Sequence, residues 1–454
     1  MKSEKLVIQN LAKGILYLDS IKLPDSVTSI AKQLIIDVTG VIIAGSYTKS
    51  ARSICDVASE FYSSGSCNVL GRNKYLNPPG AAFANGASAH ALEFDDNCYA
   101  GVVHGSAVVF PAVLAFAQHQ SLSGKDLLKS FIVGLEIEFA VAKAFSNSIY
   151  DKGWWTTSVL GSVGSAAGVA SLAKLKIDEI ENALSLAISG IGATRAVRGT
   201  NAKHYYCGRA SENGIVSASL AIKGGEGPLN VFEDRNGLIP VLNDKIFKHS
   251  FVKNIGKEFG LLKPGVDIKK YPVCYASHSA ADGVKEIVKS NNIAFKNVDK
   301  VIATVPPIIA SNLTFKDPKT TKEAQFSLEF AIAMILKYGE ISLEHLSKQH
   351  IMNSDIQNLM TKVKMRVSEL PKDTKHTEKI CPEWANIELY SKNGGYYKIF
   401  VGAPLGSSIK PLSEEMLYNK FSSCVKFSEM KLDIKSSYEK LLNIENVNNC
   451  QELF

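Results

Sequence analysis

The sequence predicts a mainly α protein: a large all-helical domain built from both chain ends (1–266, completed by 402–454), with a smaller α+β domain inserted at 267–401. Three observations carry this. Apolar residues recur at helical spacing through most of the first 266 residues. Short alternating runs and an Asn-Gly-Gly turn are confined to the region after about residue 264. The segment 412–427 then returns to a helical pattern.

The chain has 454 residues, 46% hydrophobic and 21% charged, enough for two or three domains around a sizeable core. A formal charge of +7 with no long basic block gives no reason to expect a nucleic-acid partner. That modest positive balance suits a small anionic substrate. Eight cysteines, at 55, 67, 98, 207, 274, 381, 424 and 450, lie scattered without CxxC pairs. They are read as reduced thiols, which points to a cytoplasmic protein. The N-terminus has no apolar signal core, so export is not expected. Stretches 97–124 and 153–173 contain no Lys, Arg, Asp or Glu, but they hold His104, Pro111, Thr156 and Thr157. They are read as central helices of a folded core, with no membrane partner.

In chain order, a short N-terminal helix is followed by one over 23–45, signalled by Pro24 and Asp25. A Gly/Pro loop over 63–80 leads to the Ala-rich run NGASAHALEFDD, an acidic turn, and a second apolar helix just after His104, with Ser106 as its cap. The next amphipathic helix spans 124–145; its Glu136 and Glu138, two apart, cannot share a face. GSVGSAAG within 153–173 has neither GxGxxG order nor GK[ST], and is read as close helix packing. Helical runs continue through 178–190. Beyond 263 come a Pro/Gly loop, a helix starting near His278, a strand over 298–307, a helix over 321–339, a strand over 360–370 and a hairpin over 385–404.

Chemistry gathers in two places. In the first, His90 and Glu93 share a helix face and lead into Asp95, Asp96, Asn97 and His104. Either these acids cap and solvate a helix end, or Glu93, Asp95, Asp96 and His104 line a pocket where a histidine moves protons. The spacing matches neither HExxH nor the Glu-x-x-His pattern, so no metal is expected. In the second, Arg195, Arg198, Lys203, His204 and Arg209 fall within fifteen residues. This is either a solvated basic loop or an anion-binding one.

Taken together, LPDSVTSIAKQLIIDVTGVIIAG, NGASAHALEFDD with HGSAVVFPAVLA, RAVRGTNAKHYYCGRASENG, KKYPVCYASHSAADG, DPKTTKEAQFSLEFA and PLSEEMLYNKF resemble the motif series of the MmgE/PrpD family. That family includes 2-methylcitrate dehydratases, cis-aconitate decarboxylases and iminodisuccinate epimerases. The resemblance covers nearly the whole chain. It implies a helical domain made from both ends, an inserted α+β lid, a homodimer, a di- or tricarboxylate bound in a cleft between the domains, and no metal or organic cofactor. It places catalytic positions on Glu93 (commonly Asp), His104, Lys203 and His278. Substrate contacts are expected from Asn97 (commonly a hydroxyl residue), Asp96, Arg198, Lys270, Tyr271 and Trp155. On this reading His104, oriented by Glu93 or Asp96, moves the proton, while Lys203 and His278, with Lys270 or Arg198, hold the anion.

Three departures bear on specificity. The usual His-Pro is His104–Gly105 here. The GxHxT pattern reads Gly153–Trp154–Trp155–Thr156–Thr157, which puts Trp155 where many members carry a histidine. Ala310 stands where the decarboxylases place a tyrosine. Two rival functions stay open: an epimerase of an amino- or imino-dicarboxylate, and a non-catalytic polycarboxylate-binding dimer.

Overall fold

The computed structural model describes residues 6–370, 380–428 and 430–454. The chain divides into two compact units, Met1–Val266 with Glu414–Phe454, and Asp267–Ser413. Helices predominate.

The first unit begins with α1 (Val7–Ser20), α2 (Asp25–Gly45) and α3 (Lys49–Phe61). The region 63–80, expected to be loop, contains a small antiparallel pair, β1 (Ser64–Asn68) and β2 (Tyr75–Leu76), so this unit is not wholly helical. The sequence SGSCN has almost no apolar side chains to mark a strand, and the pairing is irregular between Ser64 and Cys67. Next come α4 (Pro78–His90), α5 (Gly105–His119), α6 (Gly124–Phe145), α7 (Thr156–Leu172), α8 (Ile177–Ser189) and α9 (Ala202–Ile222).

Glycines set how closely these helices approach. A Cβ on Gly208 of α9 would lie 2.4 Å from the Phe83 carbonyl oxygen of α4, and one on Gly86 would lie 3.1 Å from the Gly208 Cα. The contact pairs Gly86 with Gly208 and, one turn further, His90 with Lys203, so α4 and α9 run antiparallel. The end of one helix therefore meets the start of the other. Gly161, Gly164 and Gly168 do the same for α7, against Val108, Glu138 and Val113. This is the packing role expected of GSVGSAAG. Ser165 and Ser211 each donate to the Val108 carbonyl, at 2.9 and 2.7 Å, tying α5 to α7 and α9.

Helix α2 is long and apolar enough to cross a membrane by length and composition alone. Within the unit its face is largely buried, and its Asp37 pairs with Lys420 at 2.6 Å. Ser106 is not a cap: the α5 N-cap is His104, without a side-chain capping bond, and Ser106 reaches back to Asp96 instead. Most of 195–214 is not a loop either. Lys203, His204 and Arg209 lie on α9, which begins at Ala202 after the one-turn helix Arg195–Val197.

The second unit contains α10 (His278–Ser290), β3 (Val298–Val305), α11 (Leu328–Tyr338), β4 (Val363–Val367), β5 (Ala385–Ser391) and β6 (Tyr396–Val401). The sheet order is β4-β3-β5-β6, with β3 and β4 parallel and the other pairs antiparallel. Residues of β5 alternate between buried and half-buried, which places Ile387 and Leu389 in a core with Val284, Ile287, Val301 and Ile335. The expected hairpin turns at Asn393–Gly394–Gly395, where Gly394 has φ +85°. The helix expected over 321–339 is broken in two, because Ser327 leaves helical geometry to cap α11 through the Phe330 N–H.

Residues 402–413 belong to this unit rather than to the first. Leu405 N–H donates to Asp282 Oδ2 at 2.8 Å, Ser408 N–H to Asp267 Oδ1 at 2.6 Å, and Ile268 N–H to the Gly406 carbonyl at 2.8 Å. After them the chain returns to the first unit as α12 (Glu414–Phe427) and α13 (Ile434–Leu442).

Candidate active site

The end of α4, the turn Ala91–His104, and the starts of α7 and α9 bring together Glu93, Asp96, His104, Trp155 and Lys203 within the first unit. Asn97 is buried in the same turn. The turn is held open against helical propensity: Glu93 has φ +52° and Val102 φ +57°, conformations that most side chains avoid. Beneath it, Lys420 of α12 donates to the Phe94 carbonyl at 2.8 Å while pairing with Asp37. A C-terminal helix thus supports the turn from within the same unit.

Lys203 donates to Glu93 Oε1 at 2.6 Å and to His90 Nε2 at 2.6 Å. An ammonium group can only donate, so His90 Nε2 accepts and Nδ1 carries the proton, which it gives to Asp95 Oδ2 at 2.7 Å. His104 Nδ1 lies 2.6 Å from the Asp96 carbonyl oxygen and 3.4 Å from Asp95 Oδ2. A carbonyl can only accept, so Nδ1 is the protonated nitrogen and the lone pair sits on Nε2. The His104 backbone N–H donates to Thr157 Oγ1 at 3.2 Å, fixing the ring's base to α7. The His90 and His104 ring centroids are 4.6 Å apart, and the Trp155 ring lies 5.5 Å from each. Lys203 Nζ stands 4.5 Å from the Trp155 ring centroid.

Sequence reasoning gave His104 a carboxylate orienter, Glu93 or Asp96. The orienting atom is instead the main-chain oxygen of Asp96, with Asp95 beside it, and Glu93 serves Lys203. The Asp96 side chain turns the other way and accepts from Ser106 Oγ at 2.7 Å. Burial, with Asp95 nearby, pushes its carboxyl up to about 7. Behind it, Glu138 is fully buried with neither oxygen hydrogen-bonded among the described residues, and burial raises its carboxyl well above the usual range.

His90 and Asp95 form the middle of the network; Asp95 is one of the acids expected to line the pocket, whereas His90 carries no expected site role. The available signal was the placement of His90 three residues before Glu93 and five before Asp95. Its position in an Ala-rich run reads equally well as core. His90, Asp95 and His104 also offer ligand atoms within 4.8 Å of one another, the only such group large enough for a metal among the described residues. His90 Nδ1 pairs within this group, with Asp95 Oδ2, whereas the shorter contact of His104 Nδ1 is to the Asp96 carbonyl outside it.

Of the other predicted residues, Arg198 is in the first unit, and His278, Lys270 and Tyr271 are in the second. Arg198 is half-buried at the end of the turn Arg195–Val197. His278 opens α10 in the second unit, fully buried between the rings of Tyr271 and Tyr275, at 5.2 and 4.9 Å. Lys270 Nζ and Tyr271 Oη both donate to Asp282 Oδ1, at 2.9 and 2.8 Å, so each has a partner within that unit.

Known proteins match nearly the whole chain. The chain matches the MmgE/PrpD N-terminal domain over residues 9–249 and the MmgE/PrpD C-terminal domain over 271–440. It is 26% identical to a mouse (Mus musculus) cis-aconitate decarboxylase, over 95% of this chain and 89% of that one. It is 27% identical to a human (Homo sapiens) cis-aconitate decarboxylase, over 99% of this chain and 94% of that one. A cis-aconitate decarboxylase-like protein, oryM, of Aspergillus oryzae is 25% identical over 73% of each chain. On these matches, the chain belongs to the MmgE/PrpD family.

Proposed function

We propose that this protein is a lyase acting on a small di- or tricarboxylate, by moving a proton on the carbon next to a carboxylate and releasing carbon dioxide or water. The observation that carries the reading is the joining of His104 and Lys203 through His90, Asp95 and Glu93 in one buried network.

In such a reaction negative charge builds on carboxylate oxygens. Lys203, held by Glu93 and His90 and already desolvated, needs little reorganisation to stabilise that charge. His104, its tautomer set by the Asp96 carbonyl, takes or gives the proton at Nε2. Asp95 beside Nδ1 favours the imidazolium that forms when His104 accepts a proton. None of these steps calls for a metal or an organic cofactor. The resemblance adds His278 and Asn97 as groups acting on substrate, with Lys270 or Arg198 proposed to help hold the anion, and it adds a homodimer. A cytoplasmic location is proposed from the eight scattered cysteines, read as reduced thiols.

The test is a panel of cis-aconitate, 2-methylcitrate, citrate and related dicarboxylates, incubated with enzyme and a chelator in deuterated water and followed by proton NMR. Loss of carbon dioxide or water from one acid is expected. Deuterium exchange with neither loss would instead identify an epimerase, and binding without turnover a non-catalytic member.

A further inference from the structure

The second unit holds an open cavity of about 800 Å³, lined by α10, the end of β6 and the segment 402–410. Its charged lining is Lys270, Lys285, Lys289 and Lys410 against Asp282 and Glu286. Asp282 is already committed: one oxygen accepts from Lys270 and Tyr271, the other from the Leu405 N–H. Glu286 is exposed and accepts from Ser290 Oγ at 2.9 Å. Lys285, Lys289 and Lys410 are left without an ion pair among the described residues. Lys285 and Lys289 stand four apart on one face of α10, so their charges repel. Lys285 is also half-buried, and burial, with Lys270 nearby, pushes its ammonium below the ordinary value. Packing alone gives no reason to gather unpaired lysines around one cavity. The rest of the wall is apolar, with Ile399, Leu405 and Ile409, the last 42% exposed.

We infer that this cavity binds an organic phosphate, with the phosphate oxygens on Lys285, Lys289 and Lys410 and the less polar body against Ile399, Leu405 and Ile409. Lysine meets phosphate as a point charge, whereas planar, two-bond recognition of a carboxylate calls for arginine, and no arginine lines the cavity. Three unpaired ammonium groups also match several negative charges in one compact group, as a di- or triphosphate carries. The volume suits a small-molecule ligand. Lys270, expected to touch the polycarboxylate, is held by Asp282 and is not needed here. No member of the His90–His104–Lys203 network lines the cavity, so this inference stands apart from the reading of the reaction.

Isothermal titration of the full-length protein with pyrophosphate, and separately with ATP, tests it, with a chelator present and about 0.15 M salt to screen diffuse attraction. One saturable site per chain is expected for each probe, with ATP the tighter. Lys285→Gln with Lys289→Gln should weaken both probes roughly tenfold or more, as for lost charge-assisted contacts. Lys319→Gln with Lys348→Gln removes the same charge from exposed positions of the same unit and should change neither. Ile409→Ser should bring ATP down to the affinity of pyrophosphate. Circular dichroism checks that each variant is folded.

The inference is wrong if neither probe binds at millimolar concentration, if binding survives the loss of Lys285 and Lys289, or if the control pair weakens it equally. Citrate binding as tightly as pyrophosphate, with the same dependence on Lys285, would overturn the phosphate assignment in favour of a carboxylate site.

Discussion

Glu93 in the helical unit and Asp282 in the second unit each hold a lysine at hydrogen-bonding distance, 2.6 Å in one case and 2.9 Å in the other. Their surroundings differ. Asp282 spends both oxygens locally, one on Lys270 and Tyr271 and the other on the Leu405 N–H, so that α10 is tied to the segment 402–413. Glu93 shares its lysine with an imidazole, and from His90 the contacts run on through Asp95 to the ring of His104. The first arrangement ends in a main-chain N–H, and the second in a titratable ring. Similar side chains thus make a local clasp in one place and a hydrogen-bonded chain reaching a second imidazole in the other, and what separates them is whether a histidine stands next in line.

The largest effect is expected at Lys203. Lys203→Met should lower kcat by at least 100-fold, on the scale of a lost electrostatic stabiliser of developing charge. Because it leaves the buried Glu93 without a cation, it should also destabilise the fold. Adding Glu93→Gln should restore stability but not turnover, and recovery of both would make the lysine structural. At Asp282 the expectation reverses. Asp282→Ala should cost about 2 kcal/mol in denaturant unfolding, a buried-pair loss discounted for its partial exposure. Turnover per folded molecule should change far less than at Lys203, and a larger loss of turnover than of stability would move Lys270 and Tyr271 into the reaction.

A smaller effect is expected at Gly208, where a methyl group would press on the Phe83 carbonyl. Gly208→Ala should cost about 1–3 kcal/mol as overpacking, and should lower turnover by shifting Lys203 relative to His90. Unchanged melting and turnover would show that α4 and α9 have slack.

The smallest is a pH effect. Asp96 and Glu138 have carboxyls raised by burial, so the folded chain keeps protons that the unfolded chain releases. Their contribution to stability is whole below about pH 4 and is lost as pH rises toward the folded values, about 7 for Asp96. Glu138→Gln removes one of these proton-linked sites. The melting temperature of the variant should therefore exceed wild type by more at pH 8 than at pH 5, and a pH-independent difference would contradict the assignment.

Much of this was legible in the sequence, for identifiable reasons. Helix α2 announced itself by Pro24, Asp25 and an apolar run, and the β5–β6 hairpin by Asn393–Gly394–Gly395. Each is a local signal that tertiary packing had only to accept. Glu93, Asp96 and His104 fall in one short stretch and could be read together. Lys203 stood out among basic residues, although its helix did not, because the Gly and Asn that precede it suggest loop while the antiparallel packing on α4 stabilises helix from Ala202 onward.

What sequence could not supply was direction. Nothing local distinguishes the Asp96 carbonyl from its carboxylate as the partner of His104, or aims Glu93 at a lysine 110 residues away. His90 reads as core because its neighbours are alanines, and the stacking of Trp155 over Lys203 depends on where α7 begins in space.

In the proposed reaction His104 moves the proton. The most direct measurement is single-turnover NMR in deuterated water of wild type and His104→Ala, on whichever acid of the panel wild type consumes, with folding checked by circular dichroism. A folded His104→Ala protein is predicted to bind the acid yet transfer its proton about 100- to 10,000-fold more slowly. Deuterium entering the product at the wild-type rate without this imidazole would contradict the account.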